Sequence, residues 1–85
     1  MTTEERFEDA KQKVLTLKGK PSNEAMLELY SLNKQATIGD LNIEAPKMFD
    51  FVAAAKYNAW KSKAGLSKED AMNRYIKLVE DLLSI

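Results

Sequence analysis

The 85-residue sequence contains no cysteine and no histidine. Without thiolates and imidazoles it has no disulfide, no sulfur nucleophile, no imidazole base and almost no route to a zinc site, so catalysis would fall to carboxylates and hydroxyls alone. Net charge is missing as well. Thirteen basic residues balance thirteen acidic ones, which withholds the basic excess that sequence-independent nucleic-acid binding draws on. No apolar run reaches the ~18 residues of a membrane span, and the acidic opening Thr2-Thr3-Glu4-Glu5 is unlike a signal or transit peptide. The expectation is a soluble, cytoplasmic chain of one domain, residues 1–85. A domain of this size buries roughly 60% of its unfolded surface, enough for one thin core.

Backbone-breaking residues are scarce too. Gly19, Pro21, Gly39, Pro46 and Gly65 are the only ones, and they divide the chain into four segments. The first opens with Thr2 and Glu5 at capping-box spacing. It carries Phe7, Ala10, Val14 and Leu17 on one helical face, and Gly19 is the expected stop. Ser22 is placed to cap a second helix, with Leu29, Leu32 and Ala36 as its apolar stripe and Met26, Tyr30, Asn33, Lys34 and Thr37 as a mixed one, ending at Gly39. Asp50 is placed to cap a third helix, which Gly65 ends, and Ser67 with Asp70 starts a fourth that carries Ala71, Met72, Tyr75, Ile76, Val79, Leu82 and Leu83. No segment alternates at period two, so the fold class is all-α, four helices around one core. The connection from Gly39 to Asp50 is too long for antiparallel neighbours, which points to a crossover with the two central helices parallel.

Several side chains invite a chemical reading. Tyr30 and Lys34, four apart, can present a hydroxyl and an ammonium to one anion. The same spacing also suits a half-buried tyrosine with a lysine snorkelling past it. Lys56 follows the apolar run Phe51-Val52-Ala53-Ala54-Ala55, whose small side chains either leave a depression beside a cation or form an ordinary solvated helix edge. Tyr75 stands on the apolar face of the fourth helix, where a tyrosine is more often core than ligand contact, and Met26 and Leu27 fit either the core or an apolar wall. No acid and base stand out as a catalytic pair, and Gly39-Asp40-Leu41-Asn42-Ile43-Glu44 lacks the ligand spacing of a calcium loop, so no metal is expected. Charges mixed in sign along the chain disfavour a face dedicated to anionic lipid.

Tyr30 to Asp40 reads Y-S-L-N-K-Q-A-T-I-G-D, and it closely resembles the Y-S-x-Y-K-Q-A-T-x-G-D signature of the acyl-CoA-binding protein family. The resemblance extends over nearly the whole chain, through Phe7, Val14, Leu17, Lys20-Pro21, Pro46, Met48, Asp50-Phe51, Lys56, Ala59-Trp60, Ser67 to Met72 and Tyr75-Ile76. It implies a four-helix bundle, up-down-down-up, with an overhand crossover between the second and third helices. It further implies a noncatalytic intracellular carrier that binds medium- and long-chain acyl-CoA esters one to one, buffers them and delivers them to lipid-metabolising enzymes. The positions matched by Tyr30, Lys34 and Lys56 hold the ribose 3′-phosphate, that of Tyr75 contacts the nucleotide part, and those of Met26 and Leu27 line the acyl chain. No cofactor, nucleic acid or stable membrane insertion belongs to this picture, and the chain is expected to act as a monomer with transient enzyme contacts.

Departures from the family pattern fall mainly near the nucleotide. Asn33, at the rim of the implied site, replaces a second tyrosine, Tyr57 the first tryptophan of a pair, and Leu15 a lysine. Ala45 and Lys47 replace Arg and Gly around Pro46. These changes bear on adenine recognition and loop conformation, and they would permit one alternative: a protein-interaction module on the same helical fold that has lost acyl-CoA binding. A thioesterase or isomerase lacks its catalytic groups here.

Overall fold

The computed structural model describes residues 1–84. Four helices follow one another: α1 (Thr3–Val14), α2 (Asn23–Thr37), α3 (Phe51–Lys61) and α4 (Lys68–Leu83). Among the described residues there is no strand, as the helical periodicity predicts.

Each helix starts where a side chain accepts an otherwise orphaned backbone N–H. Thr2 Oγ1 accepts from the Glu5 N–H at 3.1 Å while Glu5 accepts from the Thr2 N–H at 3.0 Å, a complete capping box. The bond from the Thr2 backbone, and after it that from its side chain, hold the Glu5 carboxyl below the usual carboxylate range. Ser22, Asp50 and Ser67 cap α2, α3 and α4 by accepting from Ala25, Ala53 and Asp70.

Two boundaries differ from expectation: the first helix stops at Val14 rather than running on to Gly19, and the third stops at Lys61 rather than at Gly65, where the Lys63 and Ala64 N–H groups bond to carbonyls three residues back. The Leu15, Thr16 and Leu17 N–H groups tighten to bonds with carbonyls three residues back, and the Thr16 hydroxyl donates to the Lys13 carbonyl at 2.7 Å. These bonds satisfy the helix end before any glycine is needed. Gly39, in contrast, does serve as a stop, with φ of 101° in the left-handed region.

The helices pack in a row, α3 on α2, α2 on α4 and α4 on α1, with no other helix pair in contact among the described residues. Their directions follow from which residues meet. Asn23 and Met26 share a groove with Phe51 and Val52, Lys56 approaches Tyr30, and Lys34 approaches Trp60, so α2 and α3 run parallel. Near its C-terminus α2 reaches Leu66 at the foot of α4, and near its start Glu28 stands by Asp81, so this pair is antiparallel. Phe7 meets Tyr75 while Leu17 lies with Leu82 and Leu83, which makes α1 parallel to α4. The order is therefore up-down-down-up, and the residues between Thr37 and Phe51 carry the chain back to begin α3 beside the start of α2.

The core lies between α1, α2 and α4. Phe7, Ala10, Leu32, Ala36, Ala71, Tyr75, Ile76 and Val79 form it, with Val14, Leu29, Leu66, Met72 and Leu78 packed around. Two polar residues join the buried set on α2, Ser31 and Gln35, because this helix is covered by neighbours on two sides. The Ser31 hydroxyl is satisfied by the Glu28 carbonyl.

Trp60 is the sole buried residue of α3, at 1% exposure. Its indole N–H donates to the Gly39 carbonyl at 2.8 Å. Beside it the Gln35 amide donates to both the Asp40 carboxylate and the Leu66 carbonyl, each at 2.8 Å, and the Gly65 N–H donates to Asp40 at 2.9 Å. The end of α2, the start of the crossover, the end of α3 and the entry to α4 thus meet in one polar knot. The Gly65 backbone bond, followed by that from Gln35, keeps the Asp40 carboxyl below its ordinary value.

Two tests follow. Trp60→Phe removes the donor to Gly39 and part of a buried ring, and should lower the unfolding free energy by about 1–3 kcal/mol in urea denaturation. Asp40 titrates lower when folded than unfolded, so its stabilising share is complete above the unfolded carboxylate pKa, ~3.9, and is lost as pH falls through the folded value. The stability gap between wild type and Asp40→Ala should therefore hold steady from neutral pH to mild acid and shrink below that point.

Candidate functional site

Parallel packing of α2 on α3 places residues about 26 positions apart at the same level, and this sets the site. At one level stands Tyr30, half-buried on α2. Lys34 lies one turn further along α2 with its Nζ 5.8 Å from the Tyr30 ring centre and 5.9 Å from that of Trp60. Lys56 comes from α3, with its Nζ 5.4 Å from the Tyr30 ring centre. Both ammonium groups are within cation–π range of the same ring. Neither has a carboxylate partner among the described residues, although Arg6, Lys11, Lys13, Lys63 and Lys77 all do. Two unneutralised cations about one tyrosine repel one another, and an anion placed among them relieves that repulsion. A phosphate dianion suits the set, because its oxygens accept charge-assisted bonds from two ammoniums and a neutral bond from the phenol.

Directly beside these cations the helices part into an open groove of about 600 Å³. Met26 and Leu27 line it from α2, together with Asn23 and Tyr30, while Phe51, Val52, Ala55 and Lys56 line it from α3. Its walls are mostly apolar, and Met26, Phe51 and Val52 remain 39%, 77% and 68% exposed. Burying them under an apolar ligand would contribute about 25 cal/mol per Å² removed from water. The arrangement combines a cationic anchor with an adjoining apolar trough, as an amphiphile with a phosphorylated head requires. A second depression, on the opposite face of α2, is lined by Glu28, Leu32, Asn73, Arg74, Lys77, Leu78 and Asp81 and mixes charges of both signs.

The structure thus brings together Tyr30, Lys34, Lys56, Met26 and Leu27. Tyr75 has different surroundings. It is 5% exposed, its ring meets Phe7 edge to face at 5.1 Å, and burial pushes its phenol pKa up. Little of it is left for a ligand to touch. Asn33 is half-buried, with an Oδ1 that has no hydrogen-bond partner among the described residues. Leu15 is 78% exposed on the turn after α1, and Lys11, four residues before it, extends its Nζ to 4.8 Å from the Phe7 ring centre.

Phe51, Val52, Ala55 and Asn23 are members of the groove that helical spacing alone does not select. The small side chains of the Phe51 to Ala55 run signal a depression beside Lys56. Which of them line it depends on the parallel direction of α3. No cluster of histidine, cysteine or carboxylate side chains able to hold a metal ion occurs among the described residues.

The profile of the family described as "Acyl CoA binding protein" matches residues 4–79. The chain is 49% identical to an acyl-CoA-binding protein homolog of Caenorhabditis elegans over 78 residues, 92% of this chain and 91% of that protein. It is 51% identical to an acyl-CoA-binding protein of Dictyostelium discoideum over 82 residues, 96% and 94% of the two chains. The crystal structure of an Oryza sativa acyl-CoA-binding protein superposes with a TM-score of 0.92 at 42% identity, covering 98% of this chain and 92% of that one.

An exposed lysine without an ion-pair partner adds little to the fold. Lys56→Gln should change the unfolding free energy by no more than about 0.5 kcal/mol in urea denaturation. A larger loss would show that Lys56 holds the helices together instead of standing ready for an anion.

Proposed function

The chain belongs to the acyl CoA binding protein family, and from that membership we propose that it is a noncatalytic carrier of medium- and long-chain acyl-CoA esters. It binds one ester at a time, buffers the free concentration, shields the thioester and hands it to lipid-metabolising enzymes through transient contacts. The observation that carries this reading is the pair of unneutralised lysines about Tyr30 at the edge of an apolar groove.

The residues divide the work by chemistry. Lys34 and Lys56 come from different helices and converge with the Tyr30 hydroxyl on the ribose 3′-phosphate, a geometry that neither helix could supply alone. Met26 and Leu27 cover the acyl chain from α2, with Phe51, Val52 and Ala55 facing them from α3. Tyr75 takes part at the nucleotide with the small area it keeps exposed, and Asn33 stands at the rim with an acceptor to offer. Residues 1–85 act as one monomeric, cytoplasmic acyl-CoA-binding unit, without cofactor or metal.

Head and tail contribute separately. A palmitoyl tail that shelters ~10 methylenes at about 0.8 kcal/mol each gains roughly 8 kcal/mol before ordering costs are subtracted. The phosphate anchor supplies what a free fatty acid lacks. Isothermal titration calorimetry with palmitoyl-CoA below its micellar concentration should therefore give tight one-to-one binding, with CoA and palmitate each far weaker. Lys34→Ala and Lys56→Ala should each weaken palmitoyl-CoA binding by at least about 1.5 kcal/mol, roughly tenfold, because each removes a charge-assisted bond. Unchanged affinity in both variants would defeat the phosphate assignment.

A further inference from the structure

The groove is shorter than the tail assigned to it. Its α2 wall runs from Tyr30 back to Asn23, a helical rise of about 10 Å, roughly half the length of an extended palmitoyl chain. The far half of such a chain either continues beyond Asn23 and Phe51 onto the protein or stays in water.

The two helices border that end differently. At the start of α2 stand Ser22, Asn23 and Glu24, all polar and exposed. At the start of α3, Phe51 and Val52 belong to the groove and also to a second, shallow surface of about 520 Å³, which they line with Lys47, Phe49 and Asp50. Apolar area therefore continues out of the groove on the α3 side only as far as Phe49, which is 84% exposed. The backbone holds Phe49 there. The Asp50 N–H donates to the Lys47 carbonyl at 3.0 Å and closes the turn that carries the ring, while the Asp50 carboxylate accepts from the Ala53 N–H at 3.0 Å and joins that turn to α3. A large ring that is exposed and already positioned can cover an apolar chain without a loop having to be ordered first. Met48, beside it and 82% exposed, lines neither the groove nor the shallow surface.

We propose that Phe49, together with the outer parts of Phe51 and Val52, forms a distal acyl subsite that takes up the end of a tail too long for the groove, and so makes the protein selective for long acyl chains over medium ones. The proposal rests on the carrier reading and names the substrates that reading favours. A methylene laid on Phe49 is sheltered on one side only and gains less than one inside the groove. Affinity therefore keeps rising with chain length past the end of the groove, at a lower slope.

The test is calorimetry with octanoyl-CoA and palmitoyl-CoA, each below its micellar concentration, on wild type, Phe49→Ser and Met48→Ser. Both residues are exposed, so circular dichroism should give equal melting for the three proteins. Phe49→Ser should bind octanoyl-CoA as wild type does, because a tail of that length ends inside the groove, and palmitoyl-CoA about fivefold more weakly. Met48→Ser should match wild type with both esters. A loss of equal size for the two esters in Phe49→Ser overturns the subsite, and so does a loss for palmitoyl-CoA as large in Met48→Ser as in Phe49→Ser. Equal palmitoyl-CoA affinity of wild type and Phe49→Ser overturns it as well. Analytical ultracentrifugation and sedimentation with phosphatidylserine vesicles of those two proteins then show whether a second copy or a bilayer covers Phe49 instead. A wild type that binds neither ester refutes the carrier reading and the subsite with it, whereas each of the other failures leaves the carrier reading standing.

Discussion

The bond from the Trp60 indole to the Gly39 carbonyl determines where the third helix sits. Among the described residues α3 touches no helix but α2, and Trp60 is the only residue it buries fully. A helix that buries so little of its length could swing. The polar knot of Gln35, Asp40, Gly65 and Leu66 around Trp60 limits this, because it fixes the chain on both sides of α3. With the ends of α2 and α3 tied together, the chain has to cross over to start α3 beside the start of α2. The parallel arrangement, the levelling of Tyr30 with Lys56 and the parting of the helices into a groove all descend from that tie.

The buried amide at the centre of the knot shows the same economy with an exposed weakness. Gln35 uses both hydrogens of its nitrogen on acceptors from two other segments, while its Oε1 has no partner among the described residues. An unsatisfied buried acceptor is destabilising. The two donated bonds offset it, the one to Asp40 most strongly while that carboxyl is ionised. Local order at the α3 to α4 turn therefore depends on a carboxylate in the crossover, far away in sequence.

Local features were legible in the sequence, and features made by tertiary packing were less so. The four caps at Thr2, Ser22, Asp50 and Ser67 rest on bonds spanning three residues, and each forms as its spacing suggests. The parallel pair was readable from the length of the Gly39 to Asp50 connection. The early end of α1 was not, since Thr16 satisfies Lys13 without glycine. Nor was the burial of Ser31 and Gln35, two polar residues on a helix covered from both sides. At the site, the pairing of Tyr30 with Lys34 follows from helical spacing, whereas their company with Lys56 needs the direction of α3. Spacing alone cannot separate a core tyrosine from a binding one. In the structure Tyr75 lies against Phe7 in the core while Tyr30 stands between two lysines.

The groove between α2 and α3 is open to solvent and lies outside the core that α1, α2 and α4 enclose. This separation has a kinetic consequence. A tail that lies in a trough can enter and leave one segment at a time, with no lid to unlock and no core to breach. Loading is then governed by encounter and by capture of the charged head, and residence by how long that head stays paired. Such a carrier can hold its cargo firmly at equilibrium and still exchange it whenever a competing surface takes up the tail from its free end.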